Sequence, residues 1–163
     1  MREAIFDILA SRGVIEGAAV LDAYAGSGAL GIEALSRGAA AVCFVEADRR
    51  AVAAIRANLA STGFATSSAV RVVRADVPEF LAGETGTRYD LALVDPPYSF
   101  DDWPSLLRLL RADLAVLETS SPVALPEGFG IIREYRYGGT LVTLVEALGR
   151  GRAEAQTTEK DTA

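Results

Sequence analysis

The chain contains no histidine. That removes the commonest metal ligand and the usual general base near neutral pH. One cysteine, Cys43, excludes an internal disulfide and any cysteine-rich zinc site. One lysine, Lys160, leaves arginine to carry nearly all the positive charge, and the arginines are scattered. Their only small groups are Arg49-Arg50, Arg71/Arg74 and Arg108/Arg111, each read as a solvated face. The net charge is −6, whereas nucleic-acid binders usually show a basic patch. No apolar run approaches the roughly 18 residues of a membrane helix. Arg2, Glu3 and Asp7 do not fit a signal peptide. The expectation is a cytoplasmic, monomeric protein without a metal or a membrane anchor. Its chemistry must run on carboxylates, backbone groups, aromatics or a bound cofactor.

What is present is an ordinary globular composition, 50% hydrophobic over 163 residues, enough for one domain with one sizeable core. After a short helix over residues 2–11, apolar runs alternate with helical segments. Strands are predicted at 18–23, 41–46, 70–75, 89–94 and 114–119, with helices at 27–37, 48–59, 78–81 and 101–110 between them. Residues 131–137 and 140–147 read as two strands joined at Gly138-Gly139, a tight hairpin signal. Strands alternating with helices imply an α/β fold: a mostly parallel sheet with helices on both faces, closed by an antiparallel hairpin. The domain is expected over residues 1–148, with a disordered tail over 149–163.

Residues 22–31 read DAYAGSGALG. Gly26, Gly28 and Gly31 satisfy the G-x-G-x-x-G dinucleotide pattern, a weak signal alone. Asp22 just ahead of them is badly placed for a pyrophosphate. It is also the first of four acids, Asp22, Glu46, Asp76 and Asp95, at or just past the carboxyl ends of four successive strands. Ligands of open α/β sheets bind outside those ends. Any one of these acids is equally well a turn or helix cap, but four in a row describe a site lined with carboxylates. Glu46 can accept both hydroxyls of a ribose, and Asp76 an adenine amino group. Asp22 suits a positive charge. S-adenosylmethionine has all three features, and a glycine turn lets the backbone approach it closely.

The second motif is Asp95-Pro96-Pro97-Tyr98. By itself it is a rigid turn. At the ligand edge of the sheet it can also hold an amino group attached to a heteroaromatic ring. Such a nitrogen is a poor nucleophile because its lone pair is delocalised. The Asp95 carboxylate and the Pro96 carbonyl can accept its two N–H groups and turn the lone pair toward a methyl donor. Tyr98 offers a face for the base to stack on. Asp95 also favours the positive charge that appears on nitrogen.

Together, DAYAGSGALGIEALSRGA at 22–39, FVE at 44–46, DPPY at 95–98 and YGGTL at 137–141 resemble the RsmD family, bacterial 16S rRNA guanine-N2 methyltransferases. The resemblance covers about residues 1–148. It implies a Rossmann-like class I methyltransferase with a seven-stranded sheet and S-adenosylmethionine as cofactor. Asp22, Tyr24, Gly26, Ser27 and Gly28 would line the methionine side, Glu46 the ribose and Asp76 the adenine. Asp95, Pro96, Pro97 and Tyr98 would hold the target base. The acceptor would be one guanine of 16S rRNA, usually in a partly assembled small subunit. The family pattern also has a basic segment and an R-P-T stretch ahead of the Arg2–Phe6 helix, where this sequence opens; the expectation is that it lacks them. Cys43 and Trp103 are read as packing residues, Glu118 as a bordering residue, and Arg133 and Arg136 as an exposed strand face. Three other readings stay open. One is a different methyl acceptor, either a DNA adenine or a protein glutamine, although enzymes acting on glutamine resemble N-P-P-Y. Another is an NAD enzyme. The last is a catalytically silent S-adenosylmethionine-binding module associated with RNA.

Overall fold

The computed structural model describes residues 1–149. Its elements are α1 (Arg2–Ser11), β1 (Ala19–Ala23), α2 (Ala29–Ser36), β2 (Ala41–Glu46), α3 (Arg49–Ser61), β3 (Val70–Arg74), α4 (Val77–Gly83), β4 (Tyr89–Val94), α5 (Trp103–Leu109), β5 (Ala112–Thr119), β6 (Phe129–Tyr137) and β7 (Thr140–Ala147). Every expected strand and helix is present, and the differences lie at the ends. Helix α2 starts at Ala29 rather than Ser27 because Gly28 is left-handed, with φ 80°, and serves as its N-cap. Helix α5 starts at Trp103 because Asp102 caps it, accepting from the Ser105 amide at 3.3 Å. Asp48 caps α3 as expected, accepting from the Ala51 amide at 2.8 Å. The tail expected to be disordered lies, from residue 150 on, outside the described residues.

The seven strands form one sheet in the order β3-β2-β1-β4-β5-β7-β6. The first five are parallel, and β7 is antiparallel to both β5 and β6. The closing hairpin therefore does more than add an edge: its second strand enters the sheet, and β6 becomes the edge. The side chains account for this. The TLVTLVEA run of β7 is almost wholly buried, whereas IIREYRY in β6 is largely exposed. A register shift between Ile131 and Arg133 marks a bulge in β6. Past it, Arg133 and Arg136 are exposed, while Tyr135 and Tyr137 pack toward the core.

Helices α1, α2 and α3 cover one face through Ile5, Phe6, Leu9, Ala34, Leu35, Ile55 and Leu59. Helices α4 and α5 cover the other through Phe80, Leu81, Leu106 and Leu107. Successive strand residues alternate between the faces, as the pleat requires: Val20, Phe44, Leu91 and Leu93 on the first, Leu21, Val45, Ala92 and Val94 on the second. Cys43 is buried in the second layer and unpaired. The direction of sheet growth reverses between β1 and β4, which opens the crevice above their carboxyl ends. No described helix is long and apolar enough to cross a membrane.

Candidate functional site

The glycine turn connects β1 to α2 at that crevice. Tyr24 follows the strand with φ 60°, a left-handed conformation unusual for a residue with a Cβ. Gly26 has φ 57°, and a Cβ there would meet nothing within 4 Å, so its backbone borders open space. Gly31 has the opposite surroundings. A Cβ on it would lie 2.3 Å from the Phe44 ring and 2.9 Å from an Asp22 oxygen. This glycine lets the first turn of α2 sit directly on β1 and β2.

Asp22 lies behind the turn, 1% exposed, and its Oδ2 accepts the Gly31 amide at 2.8 Å. The sequence reading put this acid against a positive ligand charge; the structure closes it off from solvent. Its consequence for a pyrophosphate is unchanged. The amides of the first helical turn are the groups that bind such an anion, and one of them is already held by a carboxyl. Burial pushes the Asp22 pKa up to about 8, against a lowering by the Gly31 amide, with Asp95, Glu46 and Glu118 adding to the rise. A folded pKa above the unfolded one means that the native state holds the proton more tightly. The Asp22 contribution to stability is therefore complete below about pH 4 and is lost as the pH climbs toward 8. In thermal melts of the ligand-free protein, Asp22→Asn should remove that part of the pH dependence. Parallel curves for the two proteins would mean that Asp22 ionises freely in the fold.

Glu46, at the end of β2, anchors the same turn. Its Oε2 accepts the Gly26 amide and its Oε1 the Asp48 amide, both at 2.9 Å. Each carboxylate oxygen has a second lone pair, so Glu46 can still accept two hydroxyls. Asp76 is the N-cap of α4, accepting from the Glu79 amide at 3.2 Å through Oδ1. It is exposed, so the capping role and an open second oxygen coexist. Burial, with the Asp76 charge second, pushes the Tyr24 hydroxyl up to about 12. That hydroxyl remains a donor. Ser27 is exposed on the turn, and its carbonyl accepts from Asn58 at 2.9 Å.

The DPPY turn leaves β4 beside the glycine turn, joined to it by the Asp95 amide donating to the Ala23 carbonyl at 3.5 Å. The Pro97 carbonyl closes the turn by accepting the Phe100 amide at 2.8 Å. The Pro96 carbonyl accepts no backbone hydrogen bond among the described residues. Tyr98 is 86% exposed, although it is a large aromatic. Asp95 to Tyr98 form one wall of a cavity of about 270 Å³. Phe100, Trp103, Glu118 and Thr140 are among its other lining residues. Trp103, read from the sequence as a packing residue, is buried at the start of α5 and is also part of the wall. Phe100 meets its ring edge-on at 5.3 Å and Tyr24 at 5.9 Å. An aromatic row thus runs from the glycine turn to the cavity.

Two carboxyl groups share that cavity. Partial desolvation raises Asp95 above the ordinary carboxylate range. Burial, with the Asp95 charge second, pushes Glu118 up to about 7. Glu118 is the residue that the sequence reading undervalued. The available signal was its position, one residue before the end of the fifth strand, where the four counted acids also lie. Among the described residues no cluster of acids or thiols could hold a metal ion.

The site so assembled is an internally anchored glycine turn, an acid on each neighbouring strand end, and an aromatic-walled cavity beside a proline turn. Ribosomal RNA small subunit methyltransferase D of Escherichia coli strain K12 is 34% identical over 165 residues, covering 95% of this chain and 80% of that protein. A conserved hypothetical protein of Streptococcus pyogenes superposes with a TM-score of 0.78 at 33% identity, covering 93% of this chain and 98% of the other. Magnesium protoporphyrin IX methyltransferase of Synechocystis PCC 6803, solved with bound SAM, shares the fold alone: TM-score 0.72, 17% identity, 90% of this chain and 77% of the other. The model of the family described as Conserved hypothetical protein 95 matches residues 1–146. The chain therefore belongs to that family, the RsmD family expected from its motifs.

Proposed function

We propose that the chain methylates the exocyclic N2 amino group of a guanine in 16S rRNA, with S-adenosylmethionine as donor. The observation that carries this reading is the DPPY turn: an exposed Tyr98, an uncommitted Pro96 carbonyl and the Asp95 carboxylate on one cavity wall, next to the glycine turn. The RNA acceptor is supported by the 34% identity to a small-subunit rRNA methyltransferase.

The residues fit the donor. The Glu46 carboxylate has lone pairs left for two ribose hydroxyls, the exposed Asp76 oxygen can take an adenine amino group, and the Gly26 backbone borders open space. S-adenosylmethionine supplies an electrophilic methyl group on a sulfonium. Asp95 and the Pro96 carbonyl accept from the guanine amino group and free its lone pair from the ring. Bound beside it, the sulfonium would give up its methyl group to that nitrogen and keep the electron pair of the broken sulfur–carbon bond. Asp95 stabilises the positive nitrogen until its proton leaves. Tyr98 stacks on the base and keeps the amino group in line.

The reading is tested with a tritiated-methyl assay on undermodified small subunits, naked 16S rRNA and DNA. Label in guanine of the subunit or the rRNA supports it, and label in DNA alone overturns it. In calorimetry, S-adenosylmethionine or its demethylated product should bind and NAD should not. Glu46→Ala should weaken that binding by roughly tenfold to a hundredfold, the cost of losing charge-assisted hydrogen bonds. Unchanged affinity would remove Glu46 from the cofactor site.

A further inference from the structure

Glu118 has no part in the clamp just described, yet its carboxyl faces the same cavity. Strands β4 and β5 run parallel in register, with Val94 opposite Leu117. The next residues on each strand are Asp95 and Glu118, about 5 Å apart at the backbone. The pleat sends both to one face, that of Leu93 and Val116. Both line the cavity. No donor among the described residues bonds the Glu118 carboxyl, although it is only partly exposed. Burial first and the Asp95 charge second oppose its ionisation, and the Met1 ammonium on the same cavity offsets them only in part. A carboxyl that no described donor reaches by a hydrogen bond is free to take one from a ligand.

The bases differ in what lies beside their exocyclic amino group. In guanine the N2 amino group is flanked on the Watson–Crick edge by N1–H, a donor, and on the other side by bare N3. In adenine the neighbour of N6 is N1, and in cytosine the neighbour of N4 is N3, both bare acceptors. A carboxylate beside the amino clamp can bond only the first arrangement and repels the other two.

We infer that Glu118 is the residue that selects guanine, accepting N1–H while Asp95 and Pro96 hold the N2 amino group. Glu118 touches the base but transfers nothing: it sets specificity. The inference rests on the proposed guanine-N2 reaction and adds how the site rejects adenine and cytosine.

2-Aminopurine separates the two ideas. It keeps the N2 amino group and has a bare acceptor at N1. The nucleotide labelled by the full-length protein is first mapped. It is then replaced by 2-aminopurine in ligated 16S rRNA assembled into small subunits. Methylation is measured for the unaltered protein, Glu118→Gln and Glu118→Ala at about pH 8, where the carboxylate form dominates. The unaltered protein should prefer guanine by about tenfold or more in kcat/KM. Glu118→Gln, whose amide can turn to donate to the bare N1 yet keeps a neutral acceptor for N1–H, should lose part of its guanine activity and gain on 2-aminopurine, narrowing or abolishing the preference. Glu118→Ala should lose guanine activity without that gain. Melting curves and S-adenosylmethionine affinity should stay near those of the unaltered protein. Equal loss on both bases in both variants, or an unchanged preference, overturns the role of Glu118 while leaving guanine methylation standing. No transfer to guanine by the unaltered protein overturns the parent reading, and this inference with it.

Discussion

Asp95→Ala is expected to lower methyl transfer by about a thousandfold, while S-adenosylmethionine binds nearly as before. The split follows from position. Asp95 begins the DPPY turn and lines the cavity proposed for the base, whereas the contacts proposed for the cofactor come from the glycine turn, Glu46 and Asp76. Removing the carboxylate leaves the amino group with the Pro96 carbonyl alone and removes the negative charge that balances the developing cation. Asp95→Asn keeps one acceptor and should fall between the two. The pH profile gives a second check. Desolvation raises Asp95, so its accepting form is lost at a higher pH than for an ordinary aspartate. The rate should therefore decline on the acid side already above the usual carboxylate range. Asp95 and Glu118 interact, so the apparent value belongs to the pair. Turnover unchanged in Asp95→Ala would remove the clamp mechanism.

The second large effect is on stability. Gly31→Ala should destabilise the fold by about 3 kcal/mol, at the upper end of overpacking costs, or about 10 °C in melting temperature for a domain of this size. The new methyl would enter the Phe44 ring, which is fully buried, and crowd the Asp22 oxygen that accepts the Gly31 amide. Neither neighbour can swing into solvent. Helix α2 must rise off the sheet or that buried hydrogen bond must open, and either change leaves Asp22 without its partner. Combining Gly31→Ala with Phe44→Leu should recover part of the loss, because the smaller side chain vacates the contact. A melting point within about 1 °C of the unaltered protein would show that α2 reseats freely.

Much of this was readable from the sequence, for identifiable reasons. The strands at 41–46 and 89–94 match to the residue because each is an apolar run ended by an acid or a proline. The Asp48 cap was legible because a capping acid directly precedes an amphipathic segment. Asp76 was harder: Asp-Val-Pro-Glu carries a capping signal and a strand-end acid in the same four residues, and the structure uses it as a cap. The inside position of β7 left a trace in its apolar run, but pairing order is decided by packing across the whole sheet. The burial of Asp22 left none. It depends on how closely α2 approaches, which is set by a glycine nine residues away and an aromatic ring on the next strand. The pairing of Glu118 with Asp95 was invisible for a similar reason, since it rests on the register of β4 against β5.

The position of β7 also governs when the protein can begin to work. Thr140, on the cavity proposed for the base, opens the strand that seats between β5 and β6, and that strand is the last of the described strands to be synthesised. Until it emerges, β5 has an open edge and Glu118 stands on an unfinished wall. The glycine turn and the DPPY turn, made of residues 22–98, can assemble much earlier. A nascent chain should thus acquire the turns proposed for the cofactor before the cavity proposed for the base is complete. A chain stopped short of residue 140 would hold a methyl donor with no surface on which to hold the acceptor.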